Sequence, residues 1–186
     1  MPIQTLSRLA DIDPARWDAL LVDNPQPFLR HAFLSALEDS GSVGGRTGWR
    51  PHHQVLSDAQ GDVIAALPLY RKTNSNGEYV FDWAWADACH RAGIDYYPKL
   101  LCAVPFSPVT GARLLGDREA AGRLLDQLTA ELDAQGHSSL HVNFTEPDAD
   151  AVLHVREGWL ERIGCQFHWH NRGYRKVPEL ATTYTW

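Results

Sequence analysis

His168-Trp169-His170 is the sharpest local pattern in the chain. On a strand its two imidazoles point to one face, about 7 Å apart. That placement suits a shared metal, with His141 on another strand as third ligand. It also suits a substrate-facing imidazole that accepts a proton near neutral pH, or plain packing of alternating His and aromatic residues in a sheet. No Asp, Glu or Cys stands at ligand spacing nearby, so the expectation is no metal site, with His168 and His170 handling protons and Asn171 beside them binding substrate. A second cluster is Asp82-Trp83-Ala84-Trp85-Ala86-Asp87, followed by Asp95-Tyr96-Tyr97-Pro98-Lys99. A carboxylate against apolar rings is harder to ionise and can serve as general base for an amine; alternatively Trp83 and Trp85 anchor the core and the acids face water. Asp87 is the catalytic candidate here, and Asp82, Trp83, Trp85, Tyr96, Tyr97 and Lys99 the substrate-binding ones. Arg30-His31, entering a helix after Pro27-Phe28-Leu29, either holds an anion or lies on the surface. Serine-hydrolase chemistry lacks its Gly-x-Ser-x-Gly, and Cys89 beside His90 does not by itself make a thiol dyad.

These residues must be positioned by elements that the hydrophobic periodicity marks out. Ile3 to Leu9 reads as a strand. Asp13-Pro14 caps a short helix that carries Trp17, Leu20 and Leu21 on one face, and His31 to Asp39 makes a second helix. Gly41, Gly44, Gly45 and Gly48 interrupt the chain. They form either a phosphate-contacting loop or a plain connection, and the helix-then-strand order around them is the reverse of a phosphate loop. Arg50 to Leu56 and Val63 to Tyr70 flank a turn and predict a hairpin. Phe81, Trp85 and Cys89 at fourfold spacing suit a helix within Glu78 to Ala92, although its beginning is equally compatible with extended chain. Leu100 to Phe106 reads as a buried strand. Ala121, Leu124, Leu125, Leu128 and Leu132 stripe one face of a helix over Arg118 to Gln135, with Gly136 past its end. Ser139 to Phe144 and Gln166 to Asn171 alternate as strands, with a short helix between, from Pro147 to about Glu157. Interleaved strands and helices predict an α/β sandwich on a mixed sheet.

Composition excludes several function classes. At 186 residues the chain is long enough for one domain, and 44% hydrophobic with 22% charged residues is ordinary for a globular protein. Seventeen basic against 23 acidic residues give a net charge of −6, and no Lys/Arg cluster offers a DNA-binding face. The apolar runs are too short to span a membrane. The first residues lack a signal-peptide core, and Cys89, Cys102 and Cys165 form no disulfide framework. The expectation is a reduced, cytoplasmic protein.

Six blocks, taken in order, carry a resemblance: Pro27 to Leu34, Ser40 to Trp49, Gly77 to Asp87, Asp95 to Leu101, Pro105 to Gly111, and Gln166 to Tyr174. Together they resemble the FemAB-like N-acyltransferases of the GNAT superfamily. The resemblance implies a GNAT-like α/β fold, with a mixed sheet flanked by helices on both faces in a three-layer sandwich. It also implies acyl transfer to a small-molecule or peptide amine, from acyl-CoA as co-substrate or from aminoacyl-tRNA, with no bound cofactor. The GNAT pyrophosphate pattern is not met: Arg113-Leu-Leu-Gly116-Asp-Arg118 fails at its last position. The expected organisation is one lobe over residues 1–174 and a truncated tail over 175–186, the first half of a two-lobed enzyme. Such a lobe would pair with a second lobe or with another copy to cover its exposed apolar face. A non-catalytic binding module of the same shape is the rival reading, and a metal hydrolase using His141, His168 and His170 a third.

Overall fold

The computed structural model describes residues 2–21, 26–146, 151–154, 156–165 and 173. Its frame is one long hairpin, broken twice. β2 (Trp49–Pro51) and β3 (His53–Ser57) form its first arm, interrupted at His52; β4 (Val63–Leu67) and β5 (Leu69–Lys72) form its second, interrupted at Pro68. Proline has no N–H for the ladder, so a break there is expected. The turn closes on Asp58, whose carboxylate accepts from the Gln60 and Asp62 N–H groups.

The two breaks divide the expected single mixed sheet into two four-stranded sheets. The first runs β1 (Ile3–Leu6), β3, β4, β7 (Leu115–Gly116), and all its pairs are antiparallel. The second runs β2, β5, β6 (Lys99–Cys102), β8 (Leu140–Val142), with β6 and β8 parallel. A hydrogen bond from the His52 N–H to the Leu69 carbonyl, 2.9 Å, ties them at the seam.

Helices cover both faces, as expected for three layers. α4 (Arg118–Glu131) is capped by Asp117, whose carboxylate accepts from the Ala120 N–H at 2.7 Å. Its stripe of Ala121, Leu124, Leu125 and Leu128 packs on Leu56, Ala65 and Leu67 of the first sheet and on Leu69, Leu100 and Cys102 of the second. One helix therefore straddles the seam. On the other face α1 (Pro14–Asp18) and α2 (His31–Asp39) bury Trp17 and Leu34 with Leu6, Val55, Ala66 and Leu115. Asp13 caps α1 through the Ala15 and Arg16 N–H groups. α3 (Trp83–Arg91) is shorter than the 78–92 expectation and buries none of its residues, and α5 (Ala151–His154) is a single turn. The strand expected over 166–171 and the tail over 175–186 lie outside the described residues.

Candidate functional site

β5 ends on Lys72 and β6 begins on Lys99, and the antiparallel register sets these two lysines directly opposite each other. Like charges so placed repel, and both side chains are sealed from solvent. Two buried acids from the intervening chain meet them. The Lys99 ammonium lies 2.9 Å from Glu78 Oε2 and 2.5 Å from Asp82 Oδ2, and donates to Ser75 Oγ at 3.2 Å. It therefore donates to Asp82 and Ser75 and is paired in charge with Glu78. Lys72 is held more loosely: it donates to the Asn76 carbonyl at 3.2 Å, stands 3.8 Å from Glu78 Oε1, and sits 3.7 Å over the Trp49 ring.

Asp82 occupies the N-cap position of α3, where an Asp side chain ordinarily accepts from its own helix. Here it makes no cap bond. Its carboxylate turns inward instead, accepting from Lys99 and from the Tyr96 hydroxyl at 2.7 Å. Burial works against its charge, but the hydrogen bonds from Lys99, Ser75 and Tyr96 win and hold its carboxyl down at about 2. Burial pushes the Glu78 carboxyl up, with Lys99 opposing. Burial pushes Lys72 down to about 7, the neighbouring Lys99 adding to the effect against Glu78. The Tyr96 phenol is raised, first by burial and then by its bond to Asp82. Tyr97 shares a 2.6 Å hydrogen bond with Ser75. His141, bonded to Ser139 at 3.0 Å and edge-on to Tyr96 at 6.1 Å between ring centroids, is pushed down to about 4 by burial and by Lys99.

Above this network lies an open cleft of about 210 Å³, lined by Ser75, Asn76, Gly77, Tyr79, Phe81 and Trp83. Phe81 and Trp83 are 69% and 60% exposed and meet edge to face at 6.0 Å, a degree of exposure that a core-anchor role does not allow. Tyr79 and Phe81 both have positive φ, 60° and 50°. That backbone strain is uncommon for aromatic residues and concentrates at ligand sites. The Asn76 carbonyl joins the two levels, accepting from the Trp49 indole at 2.9 Å and from Lys72 below.

The structure gathers Asp82, Tyr96, Tyr97 and Lys99 into the network and sets Trp83 in the cleft wall. Trp85 stands on the exposed surface of α3, and Asp87 pairs with Arg91 at 2.8 Å on that same solvent-facing helix. Arg30 and His31 lie elsewhere. Arg30 pairs with Asp18 at 3.3 Å, and the His31 ring contacts the Leu9 carbonyl and the Ser35 hydroxyl, so both its nitrogens are engaged. His168, His170 and Asn171 lie outside the described residues; among those described, no three His, Cys, Asp or Glu side chains form a metal-binding group. The Gly-rich loop helps seat Trp49: the Gly44 N–H donates to the Trp49 carbonyl and the Thr73 N–H to that of Gly48. Arg113 spends its guanidinium on the carbonyls of Val109, Gly111, Ala112 and Asn143. All three cysteines are free. Sequence reasoning missed Lys72, Ser75 and Glu78. One available signal is that the chain has three lysines among its seventeen basic residues, Lys72, Lys99 and Lys176, and two of them border apolar strands.

A family model described as FemAB-like, peptidoglycan biosynthesis/recognition, matches residues 8–183. The chain belongs to the FemAB-like family. No curated protein and no solved structure matches it. The buried network and the aromatic cleft of this FemAB-like chain both fall within the matched span. No described helix is long and apolar enough to cross a membrane.

Proposed function

We propose that this chain is an N-acyltransferase lobe whose acceptor is an amine on a peptidoglycan-type peptide, held in the aromatic cleft. The observation that carries the reading is the coupling of that cleft, through Asn76, to a buried set of two lysines and two acids. An amine must shed a proton before it attacks a carbonyl, and a water-poor cluster of titratable groups beneath the acceptor site is what such a step requires. The developing oxyanion would be met by backbone N–H groups. The family's description supports the peptidoglycan context. We take an acyl-CoA thioester as the donor, with aminoacyl-tRNA as the alternative. His168, His170 and Asn171 enter this reading from the sequence alone.

A recognition module is the second reading, favoured by one observation: the charged groups are sealed while Phe81 and Trp83 stand open for stacking. A thermal-shift titration separates the two. Donor at about 100 times its dissociation constant adds about 2.7 kcal/mol and raises Tm by several degrees. A saturable rise with acyl-CoA supports the transferase; a rise with muropeptides alone, and none with CoA, acyl-CoA or aminoacyl-tRNA, supports recognition.

A further inference from the structure

We propose that Lys72 is the proton-accepting amine of this site and that Lys99 is its fixed cation. The inference rests on the N-acyl transfer reading above and assigns the step that reading leaves open. The two lysines face each other across the β5–β6 ladder, yet their surroundings differ. Lys99 donates to Asp82 and Ser75 and stands 2.9 Å from Glu78 as an ion pair, so losing a proton would weaken short charged contacts. Lys72 makes one hydrogen bond, to the Asn76 carbonyl, and its remaining neighbours are the Trp49 ring and a Glu78 oxygen too distant to accept a proton. A neutral amine loses little there.

A buried lysine can give up its proton where arginine cannot, and since both positions are lysine the division comes from their different contacts. The groups facing Lys72 are Glu78 from the covering segment, Lys99 on the adjacent strand and Asp82 beyond it, with the Trp49 ring beneath. Burial, with Lys99 adding to it, outweighs the carboxylates of Glu78 and Asp82 and brings its titration to about 7.

The step balances as follows. Lys72 is sealed under Asn76, so the step requires that covering segment to open: the acceptor then enters as an ammonium, takes the place of the Asn76 carbonyl at Lys72, and loses one proton to its neutral nitrogen. The freed amine attacks the acyl carbonyl, the C–N bond forms, and the C–S bond of the thioester breaks. The second proton leaves with the departing thiol, and Lys72 returns its own to solvent as the covering segment reopens.

With only three lysines, a chain labelled with ¹³C at lysine Cε gives a direct test. One signal is expected to titrate near pH 7 and to vanish in Lys72→Met. Transfer by Lys72→Arg is expected to fall at least 100-fold although the positive charge remains, with the acid limb of the wild-type pH profile following the NMR midpoint. A Lys72 signal that stays protonated to pH 9, or a Lys72→Arg variant within threefold of wild type, overturns the assignment and leaves the transferase reading standing. Absence of transfer by folded wild type with every donor overturns that reading itself, whatever the NMR midpoint.

Discussion

Lys72 and Asp82 show how one buried cluster sends two charges in opposite directions. Asp82 gathers short hydrogen bonds and stays ionised; Lys72 lacks them and sheds its proton near neutrality. The pH consequence for Lys72 follows from linkage. Its folded value, about 7, lies below the ordinary lysine value of 10.5, so between the two the unfolded chain binds more protons and stability rises with pH. We expect ΔG of unfolding by urea to increase by about 3 kcal/mol from pH 7 to 10 relative to Lys72→Met, in which that rise is absent. Above pH 10 the raised phenols of Tyr96 and Tyr70 reverse the slope, because there the folded state binds more protons. Removing one acid has a different cost. Asp82→Asn or Glu78→Gln leaves two facing lysines with a single counter-charge, and a loss of about 3–5 kcal/mol is expected in denaturant unfolding.

At the scale of elements, the segment between β5 and α3 does the positioning. Gly77 sits at φ +77°, and a Cβ there would lie 2.5 Å from the Phe106 ring. Gly77→Ala should therefore cost about 1–3 kcal/mol and change the fluorescence of Trp49, which contacts Phe106 at 5.5 Å. An unchanged spectrum and midpoint would show that the segment tolerates a side chain there. The sequence made the long elements legible. The α4 stripe, the Asp13 cap, the His31–Asp39 helix and the hairpin all rest on local periodicity or capping chemistry, and all appear. The breaks at His52 and Pro68 were not legible as a division of the sheet, because a break in one strand splits a sheet only when its partner breaks alongside. The site was half legible. Asp82, Tyr96, Tyr97 and Lys99 stood out through their aromatic surroundings, whereas Lys72 reads as the start of the polar stretch after the hairpin and Glu78 as the start of the stretch that suits a helix. Only the register that places Lys72 against Lys99 reveals that they are buried together. Arg30, His31 and Asp87 stand outside the cluster, each beside a local partner, a placement that residue type alone does not show.

For the whole molecule, α4 matters most, because its apolar face covers both sheets and so fixes the hairpin arms that carry Trp49 and Lys72 relative to β6. Leu124 is fully buried in that contact, and Leu124→Ala should cost about 2–5 kcal/mol in urea unfolding. If the two sheets form one cooperative unit, fluorescence and circular dichroism will report the same reduced midpoint in that variant. The proposed function makes one central claim: an amine bound in the cleft is acylated. The most direct measurement is mass-spectrometric detection of an N-acyl product after the chain is incubated with acyl-CoA and a set of amine-bearing muropeptides. Product with wild type, reduced at least 100-fold in Lys72→Met with Tm matched by a stabilising buffer, is the predicted result. A cooperatively folded wild type that binds muropeptides yet forms no N-acyl product from acyl-CoA or aminoacyl-tRNA would contradict the claim.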